Sequence, residues 1–168
     1  RSHERVADAT VPMSIASALP GAAASPAAWL RAPRTASLHG WGRYPVVPCR
    51  VLEPADEDTL RSALRDGPVI ARGNGRSYGD SALQARGTIL TGRLGRQLSL
   101  DAARGELQAD SGVPLSDILA GVVPHGWFLP VTPGTKHVSL GGAIAADVHG
   151  KNHHRDGSFG AHVLWLDL

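Results

Sequence analysis

Two glycine-rich segments, each following a short apolar run, constrain this chain more than any other feature of its sequence. The first, Ala71-Arg72-Gly73-Asn74-Gly75-Arg76-Ser77-Tyr78-Gly79-Asp80, comes directly after Val69-Ile70. The second lies about sixty residues later: Pro133-Gly134-Thr135-Lys136-His137-Val138-Ser139-Leu140-Gly141-Gly142-Ala143-Ile144-Ala145-Ala146-Asp147-Val148-His149-Gly150-Lys151-Asn152-His153-His154. Three glycines in seven positions let a backbone turn sharply, reach positive φ and aim several N–H groups at one point without Cβ interference. That arrangement suits a diphosphate, and two such segments predict a cofactor site.

At 168 residues and 42% hydrophobic content the chain fits one domain, or two small lobes, with a buried core. It contains no run of about eighteen apolar residues, so no segment reads as a bilayer span; peripheral membrane association stays open. The location expected is therefore cytoplasmic or peripheral to the cytoplasmic membrane. Lys and Arg total 17 against 15 acids, for a net +2, and the arginines are scattered. Nucleic acid is a disfavoured partner on that ground. The single Cys49 excludes an internal disulfide and a Cys-based metal site, and reads as a small buried hydrophobe near a strand.

Residues 1–37 are rich in Ala, Ser and Pro without sustained periodicity, and read as a disordered or loosely attached leader. A secretory signal opening at Met13 is the rival reading, against which stand the missing basic n-region and strong apolar core. From residue 38 onward the pattern is α+β. Val46-Val47-Pro48-Cys49-Arg50-Val51 reads as a strand. A helix follows, with Asp56, Glu57 and Asp58 at its N-terminus, Leu60, Ala63 and Leu64 as its apolar face, and Gly67-Pro68 as its stop. Residues 69–72 form a second strand leading into the glycine loop, completing a βαβ-like unit. Short strands are expected at 88–90, 98–100 and 106–109, and a helix after Pro114 with Leu115, Ile118, Leu119 and Val122 on one face. Residues 127–131 return as an extended piece, and Ser139 caps a short helix containing Gly141 and Gly142. Glycines there serve either close approach to a ligand or close helix packing.

Several chemistries fail on the motifs. The first loop is GxGxxxG, one residue longer than the dinucleotide fingerprint, with no clear amphipathic helix after it. Neither segment ends in the Gly-Lys-Ser/Thr of a P-loop, and no Gly-x-Ser-x-Gly elbow occurs. His149 and His153 stand four apart, but Gly150 occupies the position where a zinc protease needs its carboxylate, and Lys151 adds a positive charge. The preferred reading is a cleft wall in which His149 and Lys151 supply donors or a cation to an electron-accepting ring or an oxygen-rich substrate; a polar surface loop is the alternative.

Taken together, the first glycine loop, Pro130-Val131-x-Pro133-Gly134-Thr135, and Gly141-Gly142-Ala143-Ile144-Ala145-x-Asp147-x-His149-Gly150-Lys151-Asn152-His153-His154-x-x-Gly157-Ser158-Phe159-Gly160 resemble FAD-linked oxidoreductases of the vanillyl-alcohol-oxidase superfamily. The resemblance is to the decaprenylphosphoryl-β-D-ribose oxidase branch, near the sugar-lactone oxidases, and covers roughly residues 38–168. It implies a PCMH-type FAD-binding domain, an α+β fold of two α/β lobes sandwiching the cofactor. Ala71, Arg72, Gly73, Asn74, Gly75, Arg76, Ser77, Tyr78, Gly79, Asp80 and Ser81 would wrap the pyrophosphate. Gly134, Ser139, Leu140, Gly141 and Gly142, with Ala146, Asp147, Val148 and His149, would line the rest of the FAD site. His149 and Lys151 would face the substrate, from whose sugar C–OH carbon a hydride passes to flavin N5.

Relatives with covalent FAD carry a histidine where this chain has Arg76, and some add a cysteine where it has Thr135-Lys136, so the resemblance implies non-covalent FAD. Arg76 would place charge near the diphosphate or make a structural salt bridge; Tyr78 would pack on the cofactor or fill core space. Family oxidases are much longer, and the closing run Val163-Leu164-Trp165-Leu166-Asp167-Leu168 reads as the middle of a domain. The substrate domain is then absent, with an exposed sheet edge, weak FAD retention and impaired activity expected. Three readings follow: the FAD-binding part of an oxidoreductase acting on a sugar or sugar-lipid, a flavin or nucleotide module needing a partner chain, and a metal-dependent hydrolase built on His149, His153 and His154.

Overall fold

In the computed structural model of the chain, residues 13–15, 33–94 and 97–167 are described. They form two four-stranded sheets, each with its own apolar core, in an α+β arrangement. The first lobe comprises β2 (Arg34–His39), β3 (Val46–Leu52), α1 (Glu57–Arg65), β4 (Ile70–Arg72) and β5 (Thr88–Leu90), in the sheet order β2-β3-β5-β4. β2 and β3 are antiparallel, from Arg34 opposite Val51 to His39 opposite Val46. β4 is parallel to β5, and β5 to β3. A chain leaving the far end of β4 must travel back the length of the strand to enter β5 in parallel, which takes a dozen or more residues. The glycine loop occupies that return.

Asp56 starts α1 with a capping box: its carboxylate accepts the Thr59 N–H at 2.8 Å and its own N–H reaches the Thr59 hydroxyl at 3.3 Å. Such a cap contributes about 1 kcal/mol. It also corrects the expected apolar face. Thr59 and Ala63 point inward while Leu64 is 54% exposed. The Thr59 hydroxyl is satisfied by Asp56, so burying it carries no unpaired polar group.

The second lobe holds the hairpin β6 (Leu98–Asp101) and β7 (Glu106–Ala109), then α2 (Leu115–Val122), α3 (Leu140–Ala145), α4 (His153–Asp156) and β8 (Val163–Leu166). Pro114 precedes α2, and a 3-10 turn at 123–125 ends it, with Gly126 at φ +81°. Leu115, Ile118 and Val122 lie fully buried against Leu107 and Ala109 of β7, with Val131, Leu140 and Phe159 closing the core. Each large side chain so buried is worth about 1.5–3 kcal/mol. Residues 127–131 run without a ladder, yet Leu129 and Val131 are buried.

The leader boundary at residue 37 falls inside β2, which begins at Arg34. Leader residues Met13–Ile15 form β1, parallel to both β7 and β8 and lying between them. The rest of the expected leader, residues 1–12 and 16–32, lies outside the described residues. Backbone pairing needs no apolar content, and for that reason Arg34-Thr35-Ala36-Ser37-Leu38-His39 gave little signal. Cys49 is fully buried in β3. Among the described residues no helix is long and apolar enough to cross a membrane.

Candidate functional site

The first glycine loop leaves the end of β4 and turns on Gly75 at φ +64° and Gly79 at φ +57°, conformations that favour glycine. The Arg72 guanidinium folds beneath the turn, filling the space where a Cβ on Gly75 would stand. Its Nη2 donates to the His39 carbonyl at 2.8 Å, while Nη1 is buried without a partner. Burial pushes the Arg72 pKa below its ordinary value. The β2–β3 turn braces the loop from outside. Trp41 donates its N–H to the Ser77 carbonyl at 2.8 Å, and a Cβ on Gly40 would meet the Ser77 and Gly79 carbonyls at 2.6 and 2.7 Å. The Arg76 guanidinium stacks over the Trp41 ring at 5.0 Å. Among the described residues, the backbone N–H groups of residues 74–79 donate to nothing, so the loop keeps its donors for an acceptor from outside.

The second segment closes on this loop. Asn74 donates from Nδ2 to the His137 carbonyl at 3.0 Å, and a Cβ on Gly73 would overlap the Ser139 hydroxyl. Beside this seam opens a cavity of about 490 Å³ whose lining includes Asn74, Gly92, Gly112, Pro114 and Asp117. Ser139 caps α3, its hydroxyl accepting the Gly142 N–H at 3.3 Å.

Other residues of the second segment serve the fold more than the seam. Gly141 donates its N–H to Ser111 at 2.8 Å, and a Cβ on it would lie 2.9 Å from the Ser111 Cβ, so here glycine permits close packing. Leu140 is fully buried and donates its N–H to Val113 at 2.7 Å. The donors expected to reach phosphate from 140–142 are thus spent internally. Gly142, Ala146 and Asp147 are exposed, as is Gly134, which has open space at its Cβ position. Ala71, Tyr78, Asp80 and Ser81 are exposed too, Ser81 bonding back to the Tyr78 carbonyl at 2.9 Å within its own turn.

Residues 147–149 run antiparallel to 158–160. His149 bridges to Ser158, Phe159 donates to the Val148 carbonyl at 2.9 Å, and Gly160 donates to Asp147 Oδ1 at 2.8 Å. The Gly160 N–H, then the Ser158 hydroxyl, hold the Asp147 carboxyl below its usual range, with His149 adding to the effect. His149 is exposed, its ring 5.0 Å from that of His153. Lys151 is exposed on a turn shaped by Asn152, which donates to the Pro130 carbonyl at 2.9 Å and to Asp156 Oδ2 at 2.7 Å. His149 lies outside α4, so the helical His149/His153 pairing does not form. Among the described residues no group of three His, Cys, Asp or Glu could hold a metal ion.

The residues present fit a diphosphate-bearing cofactor. Free loop donors, a glycine turn with no Cβ in the way and a buried guanidinium nitrogen lacking a partner all favour an anion. Residue-by-residue reading missed the supports: Gly40 and Trp41 behind the loop, Ser111 behind α3, and Asn152 beneath Lys151. The Gly40-Trp41-Gly42 run between two strands was the available signal for the first.

A family profile described as FAD binding domain matches residues 48–168. The chain is 43% identical over 141 residues to decaprenylphosphoryl-β-D-ribose oxidase of Mycolicibacterium smegmatis, which covers 80% of this chain and 31% of that protein. Among solved structures, cholesterol oxidase from Brevibacterium sterolicum aligns with a TM-score of 0.58 and 18% identity, covering 80% of this chain and 27% of its own. A histidine-to-alanine variant of that enzyme aligns with a TM-score of 0.56 and 16% identity, over 71% of this chain and 25% of its own. At those identities the likeness is one of fold. The chain spans about a third of the length of that mycobacterial relative. With the two glycine segments meeting at one seam and the profile covering most of the chain, the protein belongs to the FAD-binding-domain family of PCMH-type FAD-linked oxidases.

Proposed function

We propose that this chain binds FAD non-covalently across the seam between its lobes, and serves oxidation of a CH–OH carbon in a sugar or sugar-lipid. The observation that carries the reading is the loop at 74–79, whose N–H groups are unspent and which Asn74 ties to the second segment. Bound FAD would supply a hydride acceptor at flavin N5. The loop donors and Arg72 would bind the diphosphate, and the exposed Gly142, Ala146 and Asp147 would border the rest of the cofactor. His149 and Lys151 are exposed polar side chains that would orient an oxygen-rich substrate and hold a proton at its hydroxyl. Arg76, stacked on Trp41, offers no nucleophile for a covalent flavin bond. The name of the mycobacterial relative supports the sugar-lipid class.

Purified protein with added FAD, freed of excess and then precipitated with acid, tests this directly. Yellow protein that releases its flavin into the supernatant is expected. Flavin remaining in the pellet refutes the non-covalent reading, and colourless protein holding stoichiometric zinc refutes flavin binding itself. A second reading, a flavin module completed by another chain, is favoured by β8, which among the described residues is an edge strand with Leu164, Trp165 and Leu166 exposed. Turnover of a sugar donor with an artificial electron acceptor separates the two.

A further inference from the structure

We propose that Asp147 is a positioning residue for His149, pinning the segment that carries it to the loop at 158–160. The proposal rests on the flavin reading only for what His149 faces; the pin stands on contacts within the chain. Asp147 follows the C-cap of α3 at φ +41°, a backbone conformation that residues with a Cβ adopt rarely and Asp more readily than most. Such a conformation persists where the surroundings over-determine it.

Here they do so in three successive steps. The Asp147 carboxylate takes the Gly160 N–H at 2.8 Å, the Val148 carbonyl takes the Phe159 N–H at 2.9 Å, and His149 bridges to Ser158. Phe159, only 3% exposed, roots the loop in the second core. A Cβ on Gly160 would stand 2.9 Å from Asp147 Oδ1, so a side chain there must displace the pinned carboxylate. The two positions are therefore coupled. His149 lies two residues beyond the pin; its backbone is held by the bridge to Ser158 and its exposed ring lies 5.0 Å from that of His153, so its direction follows that of the pinned backbone. The Gly160 N–H first, and the Ser158 hydroxyl next, hold the carboxyl pKa below its usual range, in keeping with a carboxylate that accepts both bonds.

Asp147→Asn keeps an acceptor oxygen and the tolerance for positive φ, whereas Asp147→Gly relaxes the backbone but removes the acceptor. Amide exchange of Gly160 and the imidazole resonances of His149, measured by NMR on the full chain, report the pin and its consequence separately. In Asp147→Gly, Gly160 exchange is expected to accelerate by about ten-fold or more, with the His149 resonances displaced. Asp147→Asn should stay within about three-fold of wild type, since a neutral hydrogen bond replaces a charge-assisted one. Gly160→Ala should displace the His149 resonances in the wild-type background and add little in Asp147→Gly, where the clashing carboxylate is gone. Unchanged exchange and resonances in Asp147→Gly, or full additivity of Asp147→Gly with Gly160→Ala, would overturn the proposal. With FAD added, Asp147→Gly and His149→Ala should shift the flavin absorbance in the same direction. A wild-type chain that takes up no flavin refutes the reading under Proposed function, while the exchange and resonance data still decide the pin.

Discussion

Replacing Gly73 by Ala tests whether the two glycine segments are in contact. Gly73 lies outside the positive-φ region, so its backbone accepts a Cβ. If the space around it were open, the substitution would stabilise the protein by about 0.4–1 kcal/mol through the unfolded chain. The structure predicts the opposite sign. The added methyl would overlap the Ser139 hydroxyl and lie 3.2 Å from its Cβ, and Ser139 is only 3% exposed. Turning Ser139 away forfeits its cap on Gly142, about 1 kcal/mol. Parting the loops instead forfeits the Asn74–His137 bond, about 0.5–1.5 kcal/mol. Residual overpacking brings the total to about 2 kcal/mol, a fall in Tm of roughly 4–8 °C for a chain of this size. Ser139→Gly removes the obstruction and costs only a few tenths as a cap, so the double variant should recover most of the loss. Urea unfolding of the four proteins measures the cycle. A Gly73→Ala variant as stable as wild type or more so, or a double variant no better than Gly73→Ala alone, refutes the close seam.

Ile118→Ala should cost about 2–5 kcal/mol by urea unfolding, because Ile118 is fully buried at the centre of the second core; a loss under about 1 kcal/mol would show that the helix face is not packed as described. Arg155 first, then Asn152, hold the Asp156 carboxyl below its usual range. The folded chain therefore resists protonation there more than the unfolded one. The resulting stabilisation is complete above the unfolded-state value near 3.9 and drains away as pH falls through the lower folded-state value. Unfolding midpoints followed against pH should show a gap between wild type and Asp156→Asn at neutral pH that closes below about pH 4; parallel curves throughout would refute it.

Local chemistry made much of this architecture readable. Asp56, Glu57 and Asp58 announced the start of α1, Pro114 preceded α2, and Ser139 was recognisable as a cap. Each signal acts on residues within one turn, so neighbours in sequence suffice to produce it. β2 and the insertion of β1 carried no such signal, because a strand owes its place to backbone partners far away in the chain. The exchange of Leu64 for Thr59 on the buried face of α1 had the same origin: a hydroxyl already satisfied by the cap can be buried, and hydropathy alone does not register that bond.

At the site, the glycine spacing by itself determined that two segments could turn tightly and come near a ligand or another backbone. Only the tertiary structure decided which did which. Among the described residues the N–H groups at 74–79 stay unspent, whereas at 140–142 Ser111, Val113 and Ser139 consume them. Glycine permits close approach without choosing the neighbour. That choice belongs to tertiary packing, which sets Asn74 on His137 between the lobes, and Ser111 on Gly141 and Asp147 on Gly160 within the second, across separations of 63, 30 and 13 residues.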